Sequence, residues 1–254
     1  VARGLSRSQR GERIALAGQC RLGLLMPPRF AFKPGEPLLC RRQFGIGDAS
    51  RFSIGGKPIL MHTLEVFFRV DSAIHLIVVL PEEEVSFWEK LVILHDFAIP
   101  HQVIIGGSSR FQSVRNGLHA IPFEDGLVAI HDGVRPLVTE QVIYKSFELA
   151  KEAGSAIPVI ALKDSIRELD ASGKSKFRDR QHYRLVQTPQ TFQLKKIQQA
   201  FLVTESDQFT DDATVYENQG WQVTLFEGNP DNIKITTPED LEFASFLMEK
   251  KSSR

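Results

Sequence analysis

The sequence predicts an α/β fold with a mostly parallel sheet, helices on both faces and an extended β-arm. Three observations predict it: short branched apolar runs, amphipathic segments between those runs, and polar residues directly after several of them. Uninterrupted apolar runs are typical of parallel strands that are covered on both faces. Strands and helices that alternate in this way predict right-handed crossovers.

The elements follow in chain order. Strands are predicted at Ile74–Leu80, Val103–Ile105, Leu127–His131, Ala156–Leu162, Leu185–Thr188, Val223–Phe226 and Ile233–Thr236. Helices are predicted at Ile59–Arg69, Glu82–Phe97, Ser109–Ala120, Thr139–Ala153 and Leu194–Val203. A closing helix is expected after Thr237, because Thr237, Pro238 and Asp240 supply an N-cap, an N1 proline and a first-turn acid.

The segment from Lys163 to Arg184 differs from the rest because it is polar and charged and carries Gly173 in a turn-like ASGKS sequence. This pattern predicts an extended arm or hairpin, at about residues 163–185.

The composition excludes several classes of protein. The chain has 254 residues, 42% of them hydrophobic and 24% charged, with 31 basic and 31 acidic side chains. No apolar run approaches the roughly 18 residues of a membrane helix, and no secretory signal pattern is present. The two cysteines, Cys20 and Cys40, have no metal-ligand spacing, so we expect a reducing cytoplasmic location and neither a disulfide framework nor membrane association.

The composition changes sharply near residue 51. Residues 1–51 hold nine arginines and one lysine against three acidic residues, and they contain both cysteines. They show no sustained period of 2 or 3.6, so we predict no strand–helix unit there. The sequence thus divides into an anomalous segment at 1–51 and an α/β domain at 52–254. Nucleic-acid binding by the arginine-rich segment is not expected, since stacking aromatics and a known motif are lacking.

Polar residues at the ends of strands are the first candidates for a site, because ligands bind beyond the carboxyl ends of parallel strands. The run LVAIH leads directly into Asp132, Gly133 and Arg135. Asp132 can hold Mg²⁺ that bridges phosphate oxygens. Alternatively, Asp132 and Arg135 pair in a tight turn. The five-residue motif leaves both interpretations open.

Three further clusters have structural alternatives of their own. GGSSRFQS (106–113) could face an anion or a base with its free N–H groups, or could be a capped glycine turn. Thr188-Pro189-Gln190 could be a simple turn. Lys234 lies in an otherwise apolar predicted strand, where it is either a guard on an edge strand or a phosphate ligand.

Taken together, six ordered blocks resemble the 2-C-methyl-D-erythritol 4-phosphate cytidylyltransferases of the non-mevalonate isoprenoid pathway. The blocks are GGKPILMHTL (55–64), GGSSRFQSVRNGL (106–118), HDGVRP (131–136), VQTPQTF (186–192), FTDDATVYENQG (209–220) and EGNPDNIKITTPEDL (227–241). The resemblance covers about Ile54 to the C-terminus. It implies a Rossmann-like nucleotidyltransferase fold, a homodimer joined by the arm, and transfer of CMP from CTP to a sugar-alcohol phosphate with release of pyrophosphate.

The resemblance also implies roles for individual residues. Arg180 and Lys234 match the pair that positions the acceptor phosphate for attack, and Arg180 should reach the neighbouring subunit's site. Substrate contacts are implied for Thr188, Thr210 and Arg135, and an Mg²⁺ and phosphate ligand for Asp132. The implied nucleotide-binding residues are Gly107, Ser108, Arg110, Ser113 and Gly133. No histidine is assigned a catalytic role.

Two related functions are kept as alternatives. A ribitol 5-phosphate cytidylyltransferase shares the fold and similar DGxRP and TPQTF blocks, although EGNPDNIKITTPEDL favours the methylerythritol enzyme. A catalytically impaired nucleotide-binding homologue is the second alternative.

The N-terminal segment departs from the family pattern. Family members begin with an apolar strand, a glycine-rich loop that holds the triphosphate, and a lysine just before the equivalent of Ile54. The nearest glycine stretch here, from Gly45 to Arg51, follows no predicted strand. We therefore expect a sheet without its first strand and weak turnover, and we hypothesise that residues 1–51 are an out-of-frame translation.

Overall fold

A computed structural model describes residues 13–18 and 50–252 of the chain. The strands are β1 (Arg13–Gly18), β2 (Ser53–Ile54), β3 (Lys57–Pro58), β4 (His75–Leu80), β5 (Gln102–Ile105), β6 (Leu127–Asp132), β7 (Ser155–Ala161), β8 (Ile166–Leu169), β9 (Ser175–Arg178), β10 (Arg184–Val186), β11 (Gln190–Gln193) and β12 (Leu225–Glu227). The α-helices are α1 (Ile59–Val70), α2 (Glu82–Leu94), α3 (Arg110–His119), α4 (Glu140–Ala153), α5 (Leu194–Ala200), α6 (Asp212–Glu217) and α7 (Pro238–Ser252).

One mixed sheet organises the described part of the chain. Its strand order is β10-β7-β11-β6-β1-β4-β5, and β12 pairs with β7. The pairs β6–β1, β1–β4 and β4–β5 are parallel, whereas β11 is antiparallel to both β6 and β7. The predicted α/β fold is confirmed, with antiparallel strands on one side of the sheet.

Strand β1 lies in the middle of this sheet. Its backbone pairs in parallel with β4, where Leu16 faces Ile77, and with β6, where Leu16 faces Ile130. The expectation that the sheet lacks its first strand is therefore wrong. A central parallel strand needs only a short apolar run without alternation, and IALA inside an arginine-rich segment gave no periodic signal. The glycines at 45 and 47 and both cysteines lie outside the described residues.

The two faces of the sheet carry separate cores. Along β4, Leu76, Val78 and Leu80 belong to one core, and Ile77 and Val79 to the other. Helices α1, α2, α4 and α7 contribute to the first core, and α3, α5 and α6 contribute to the second. This two-sided burial explains why the strand reads as a continuous apolar run.

The predicted arm is a hairpin made of β8 and β9. These strands pair antiparallel, and the turn between them contains Gly173 at φ 80°. Other elements also differ from the prediction. Residues 233–236 form no strand, whereas Gln190–Gln193 is a strand, β11, and Asp212–Glu217 is a helix, α6, neither of which was predicted. No helix among the described residues has the length and apolar character needed to span a membrane.

Candidate active site

Asp132, the last residue of β6, lies at the carboxyl end of the parallel strands. Its Oδ2 accepts a hydrogen bond from Arg135 Nε at 3.0 Å and lies 3.5 Å from Lys234 Nζ. Burial raises the pKa of Asp132, but the positive charges of Lys234, Arg135 and Arg110 outweigh this and hold it well below its usual range. Asp132 is therefore an ionised carboxylate across the physiological pH range.

Arg135 joins the turn after β6 to a distant segment. Its backbone N–H donates to the Asp132 carbonyl at 3.0 Å, and its Nη1 donates to the Asn232 carbonyl at 2.8 Å. The tight-turn pairing considered from the sequence is therefore present. The same pair also lines an open cleft, so the two interpretations are compatible.

Lys234 reaches this cleft from an irregular segment that is not part of the sheet. The backbone of its neighbour Ile235 donates to the Val134 carbonyl at 3.0 Å, within the turn that follows β6. The predicted strand at Ile233–Thr236 is wrong. The segment lies against a turn, and a turn does not offer the regular series of backbone donors and acceptors that strand pairing needs. Lys234 consequently does not guard a sheet edge. Its side chain is 34% exposed and faces the Asp132 carboxylate.

Arg110 enters the same cleft from the first turn of α3, which Ser109 caps by accepting a hydrogen bond from Gln112 N at 3.1 Å. Both terminal nitrogens of Arg110 contact the carboxylate of Asp212, and Nη1 lies 2.6 Å from Oδ1. Asp212 is fully buried; burial raises its pKa, and the guanidinium offsets part of that rise. Sequence reasoning missed Asp212, although two adjacent acids before a short apolar helix are a usable capping signal.

The remaining walls of the cleft come from the segment around β11 and from the start of α6. The cleft has a volume of about 150 Å³, and Thr188, Gln190, Thr210 and Asp211 line it together with the charged residues above. Gln190, which the sequence singled out only as part of the Thr188-Pro189-Gln190 cluster, donates to Asp211 Oδ2 at 2.8 Å and accepts from Ala213 N at 2.8 Å. These bonds tie β11 to α6 beneath the cleft.

The buried ring of His131 contacts the Thr188 hydroxyl. Its Nδ1 lies 2.9 Å from Thr188 Oγ1, and its Nε2 lies 3.1 Å from the Arg135 carbonyl oxygen. Burial is the main cause that lowers the pKa of His131, to about 4. The ring is therefore neutral at physiological pH.

A second cleft, of about 160 Å³, lies at the ends of β4 and β5. Glu82, Glu83, Gly107 and Ser113 are among its lining residues. The Gly107 N–H donates to Ser113 Oγ at 3.1 Å, and a Cβ on Gly107 would lie 2.3 Å from that of Gln112. Only glycine fits at this position, where the backbone approaches α3 closely.

The other predicted site residues are not among those that line either cleft. The exposed Ser108 hydroxyl donates to Gln112 Oε1 at 2.9 Å, and the buried Gly133 accepts from Thr63 Oγ1 at 2.9 Å. Arg180 lies within the arm, on a 3-10 helical turn after the β8–β9 hairpin, where its guanidinium contacts the Lys163 carbonyl. The structure brings Asp132, Arg135, Lys234, Arg110, Thr188 and Thr210 together, but it does not bring Arg180 to them within one chain.

The carboxylates that line the first cleft are Asp132 and Asp211. Within residues 13–18 and 50–252, no group of three or more His, Cys, Asp or Glu side chains could hold a metal ion. Mg²⁺ commonly uses one or two carboxylates and takes its other ligands from phosphates and water. The donor set therefore fits Mg²⁺ only when a phosphorylated substrate completes the coordination.

Comparison with known proteins identifies the family. A family model described as 2-C-methyl-D-erythritol 4-phosphate cytidylyltransferase matches residues 44–250. The curated protein of that name from Bacteroides fragilis is 48% identical over 229 residues, which cover 90% of this chain and 100% of the relative. The one from Bacteroides thetaiotaomicron is 47% identical over 195 residues, covering 77% of this chain and 88% of the relative.

A solved structure shares the fold. The crystal structure of 4-diphosphocytidyl-2C-methyl-D-erythritol synthase from Anaerococcus prevotii superposes with a TM-score of 0.75 at 24% identity, covering 94% of this chain and 99% of the other. The match to the family model and the curated relatives agrees with the six sequence blocks. The chain belongs to the 2-C-methyl-D-erythritol 4-phosphate cytidylyltransferase family.

Proposed function

We propose that this chain transfers CMP from CTP to 2-C-methyl-D-erythritol 4-phosphate, giving 4-diphosphocytidyl-2-C-methyl-D-erythritol and pyrophosphate. The observation that carries the proposal is the cleft in which Lys234 and Arg135 flank Asp132 at the carboxyl end of β6. The family relationship supplies the identity of the substrates. The family model and the curated relatives do not favour the alternative acceptor, ribitol 5-phosphate.

The reaction requires charge neutralisation and in-line positioning. An oxygen of the acceptor phosphate attacks the α-phosphorus of CTP, and the bond from the α-phosphorus to the bridging oxygen breaks, releasing pyrophosphate. No protein nucleophile takes part.

The cationic side chains of the cleft suit this reaction. The Lys234 side chain is one-third exposed, so it can leave Asp132 and bind the acceptor phosphate. There it can hold that phosphate in line with the α-phosphorus of CTP. Arg135 is held between Asp132 and the Asn232 carbonyl, so its charge is fixed in place before substrate arrives. Arg110, anchored by Asp212, adds a third positive charge to the cleft.

We propose that Asp132 binds Mg²⁺ together with substrate phosphate oxygens. The bound ion would neutralise phosphate charge during transfer. We also propose that the second cleft holds the cytidine, because it is lined by Gly107 and Ser113, two of the nucleotide-binding residues that the family resemblance implies.

The working unit in this proposal is a cytoplasmic homodimer, in which Arg180 of one subunit completes the site of the other. Support comes from the exposed apolar side chains of the arm, since Leu169 is 68% exposed and Phe177 is 63% exposed.

The testing experiment measures pyrophosphate release from CTP and Mg²⁺ with methylerythritol phosphate, and with ribitol 5-phosphate as comparison. It uses this chain and a variant in which a family-type N-terminal segment replaces residues 1–51. We expect turnover in the variant and much weaker turnover here, since one lost preorganised donor can cost roughly 3–4 kcal/mol.

The outcomes are distinct. No pyrophosphate from either protein would reject the proposed function and favour the impaired homologue. Equal turnover would show that the family's glycine-rich loop is dispensable in this chain. A preference for ribitol 5-phosphate would identify the other acceptor.

A further inference from the structure

The Thr188 hydroxyl lies at the cleft with two protein partners already engaged. The backbone N–H of Asp132 donates to Thr188 Oγ1 at 3.1 Å, and His131 Nδ1 lies 2.9 Å from the same oxygen. Thr188 is only 6% exposed, yet it lines the cleft that holds Asp132 and Lys234. The direction of each bond decides what Thr188 can offer a substrate.

The environment of His131 determines those directions. Its Nε2 lies 3.1 Å from the Arg135 carbonyl oxygen, and a carbonyl can only accept, so Nε2 carries a proton. The ring is 1% exposed and both nitrogens contact uncharged groups, which favours the neutral form. A neutral imidazole has one N–H, so Nδ1 is an acceptor and the Thr188 hydroxyl donates a hydrogen bond to it.

We propose that His131 is a positioning residue that makes Thr188 an acceptor only, so that Thr188 recognises a hydroxyl group of the acceptor substrate and not its phosphate. A hydroxyl has one donor and two lone pairs. The Thr188 O–H donates to His131 Nδ1, and one lone pair of its oxygen accepts from the Asp132 N–H. A single lone pair therefore remains for a ligand in the cleft. This inference rests on the proposed function.

The chemistry of the substrate matches this arrangement. The oxygens of a phosphate dianion only accept hydrogen bonds, so a lone pair directed at them is repulsive. The hydroxyl groups of a sugar alcohol can donate. Phosphate recognition is then left to Lys234 and Arg135, and Thr188 distinguishes a polyol phosphate from a bare phosphate.

The experiment uses His131→Phe, Thr188→Val, their double variant and Thr188→Ser in the chain with a restored family-type N-terminus. Phenylalanine keeps the edge contact that His131 makes with Phe67, whose ring centroid is 5.0 Å away. Thr191→Val is the matched control, because Thr191 is buried and donates to Ser146 at 2.9 Å, with no residue of either cleft as its partner. The readouts are kcat, the KM for each substrate, and inhibition by inorganic phosphate.

For Thr188→Val we expect the KM for methylerythritol phosphate to rise on the order of tenfold, as for loss of one hydrogen bond, with the KM for CTP unchanged. His131→Phe should act in the same direction and should add nothing to Thr188→Val, because it works through that hydroxyl. Thr188→Ser keeps a hydroxyl and should retain the parent's KM for methylerythritol phosphate. Thr191→Val should leave the same KM unchanged. Inorganic phosphate should inhibit all variants equally.

Several results would overturn the inference. One is that Thr188→Val weakens inhibition by inorganic phosphate as much as it weakens binding of methylerythritol phosphate. Others are additive losses in the double variant or a raised KM for CTP. Nitrogen-15 NMR of His131 in the ligand-free protein gives a test that needs no turnover: we expect protonated Nε2 and bare Nδ1, and the opposite tautomer would reject the inference. Absence of CMP transfer by the parent protein would instead reject the proposed function.

Discussion

One carboxylate oxygen of Asp132 faces two cations, with Arg135 Nε at 3.0 Å and Lys234 Nζ at 3.5 Å. Arg135 has a second anchor at the Asn232 carbonyl, whereas the contact of Lys234 with Asp132 is the longer of the two ion pairs. Lys234 is therefore the cation that can leave Asp132 most readily when a phosphate arrives. Its departure would also leave Asp132 free to contact a metal ion.

Replacing Lys234 with glutamine should reduce kcat/KM roughly 10²- to 10³-fold, because it removes a positive charge that faces the reacting phosphates. The fold should be retained, since the side chain is one-third exposed. Steady-state kinetics and thermal unfolding measure the two effects. The control is Lys195→Gln on α5, whose partner is the exposed Asp125. Equal loss in both variants would contradict the assignment.

Gly228 is a position where an added Cβ atom would collide with a neighbouring side chain. A Cβ there would lie 2.4 Å from Gln187 Oε1, which accepts a hydrogen bond from Asn229 N at 3.1 Å. Gln187 also donates to the Asn229 carbonyl at 2.8 Å, so it clamps the segment that leads to Lys234.

Gly228→Ala should lower the free energy of unfolding by about 1–3 kcal/mol through overpacking. Urea denaturation measures this change. The same substitution in a Gln187→Ala background should cost less, because the colliding side chain is gone. Identical costs in the two backgrounds would show that the strain has another source.

At the scale of elements, the start of α7 shows how a local signal becomes structure. Thr237, Pro238 and Asp240 predicted the beginning of this helix, and the helix begins at Pro238. Asp240 Oδ2 accepts hydrogen bonds from Thr236 N, Thr236 Oγ1 and Thr237 N, each at 2.9 Å, and Asp240 N donates to Thr237 Oγ1 at 3.2 Å. The reciprocal bonds form a capping box, which orients the segment that carries Lys234.

This cap should make the stability depend on pH. Partial burial raises the pKa of Asp240, but the hydrogen bonds from Thr236 and Thr237 outweigh this and leave it below the ordinary value of 3.8. A depressed folded-state pKa contributes stability that is complete above the unfolded-state pKa and is lost as pH falls through the folded-state pKa.

Asp240→Asn should therefore destabilise the protein by about 1 kcal/mol at neutral pH, and the difference from the parent should shrink in strong acid. Denaturant unfolding of both proteins across this pH range measures it. A constant difference would contradict the role of the ionised carboxylate. Asp71→Asn tests specificity, since Asp71 accepts from Ala73 N in an exposed turn at the end of α1.

At the scale of the whole molecule, the arm carries the clearest exposed apolar surface near a predicted site residue. Phe177 lies on β9 and Arg180 lies on the turn that follows it. If two copies pair through their arms, one contact would serve both dimerisation and the delivery of Arg180.

Phe177→Glu should shift the chain toward monomer and lower turnover together, because the charge would be desolvated at the interface. Light scattering at several concentrations, with parallel assays, measures both properties. Ile93→Glu is the control, since Ile93 is 80% exposed at the end of α2 and outside the arm. An unchanged oligomeric state for Phe177→Glu would contradict the dimer proposal.

The sequence by itself determined the succession of strands and helices from α1 to β7, the arm, and the cap of α7. These depend on neighbours within a few residues, such as the apolar run of β4 or the Ser109 cap of α3. The blocks around Asp132 and Thr188 likewise carried the family resemblance, and with it the proposed chemistry. Local patterns predicted these parts because local contacts form them.

Only the tertiary structure decided which distant residues meet. It placed β1 between β4 and β6, paired Arg110 with Asp212 across 102 residues, and brought Lys234 to Asp132 from a segment that is not a strand. It also oriented Thr188 through His131, a residue for which no role was predicted. The physical reason is that such contacts arise from the order of strands in the sheet and from the closure of long loops, which no window of neighbouring residues encodes.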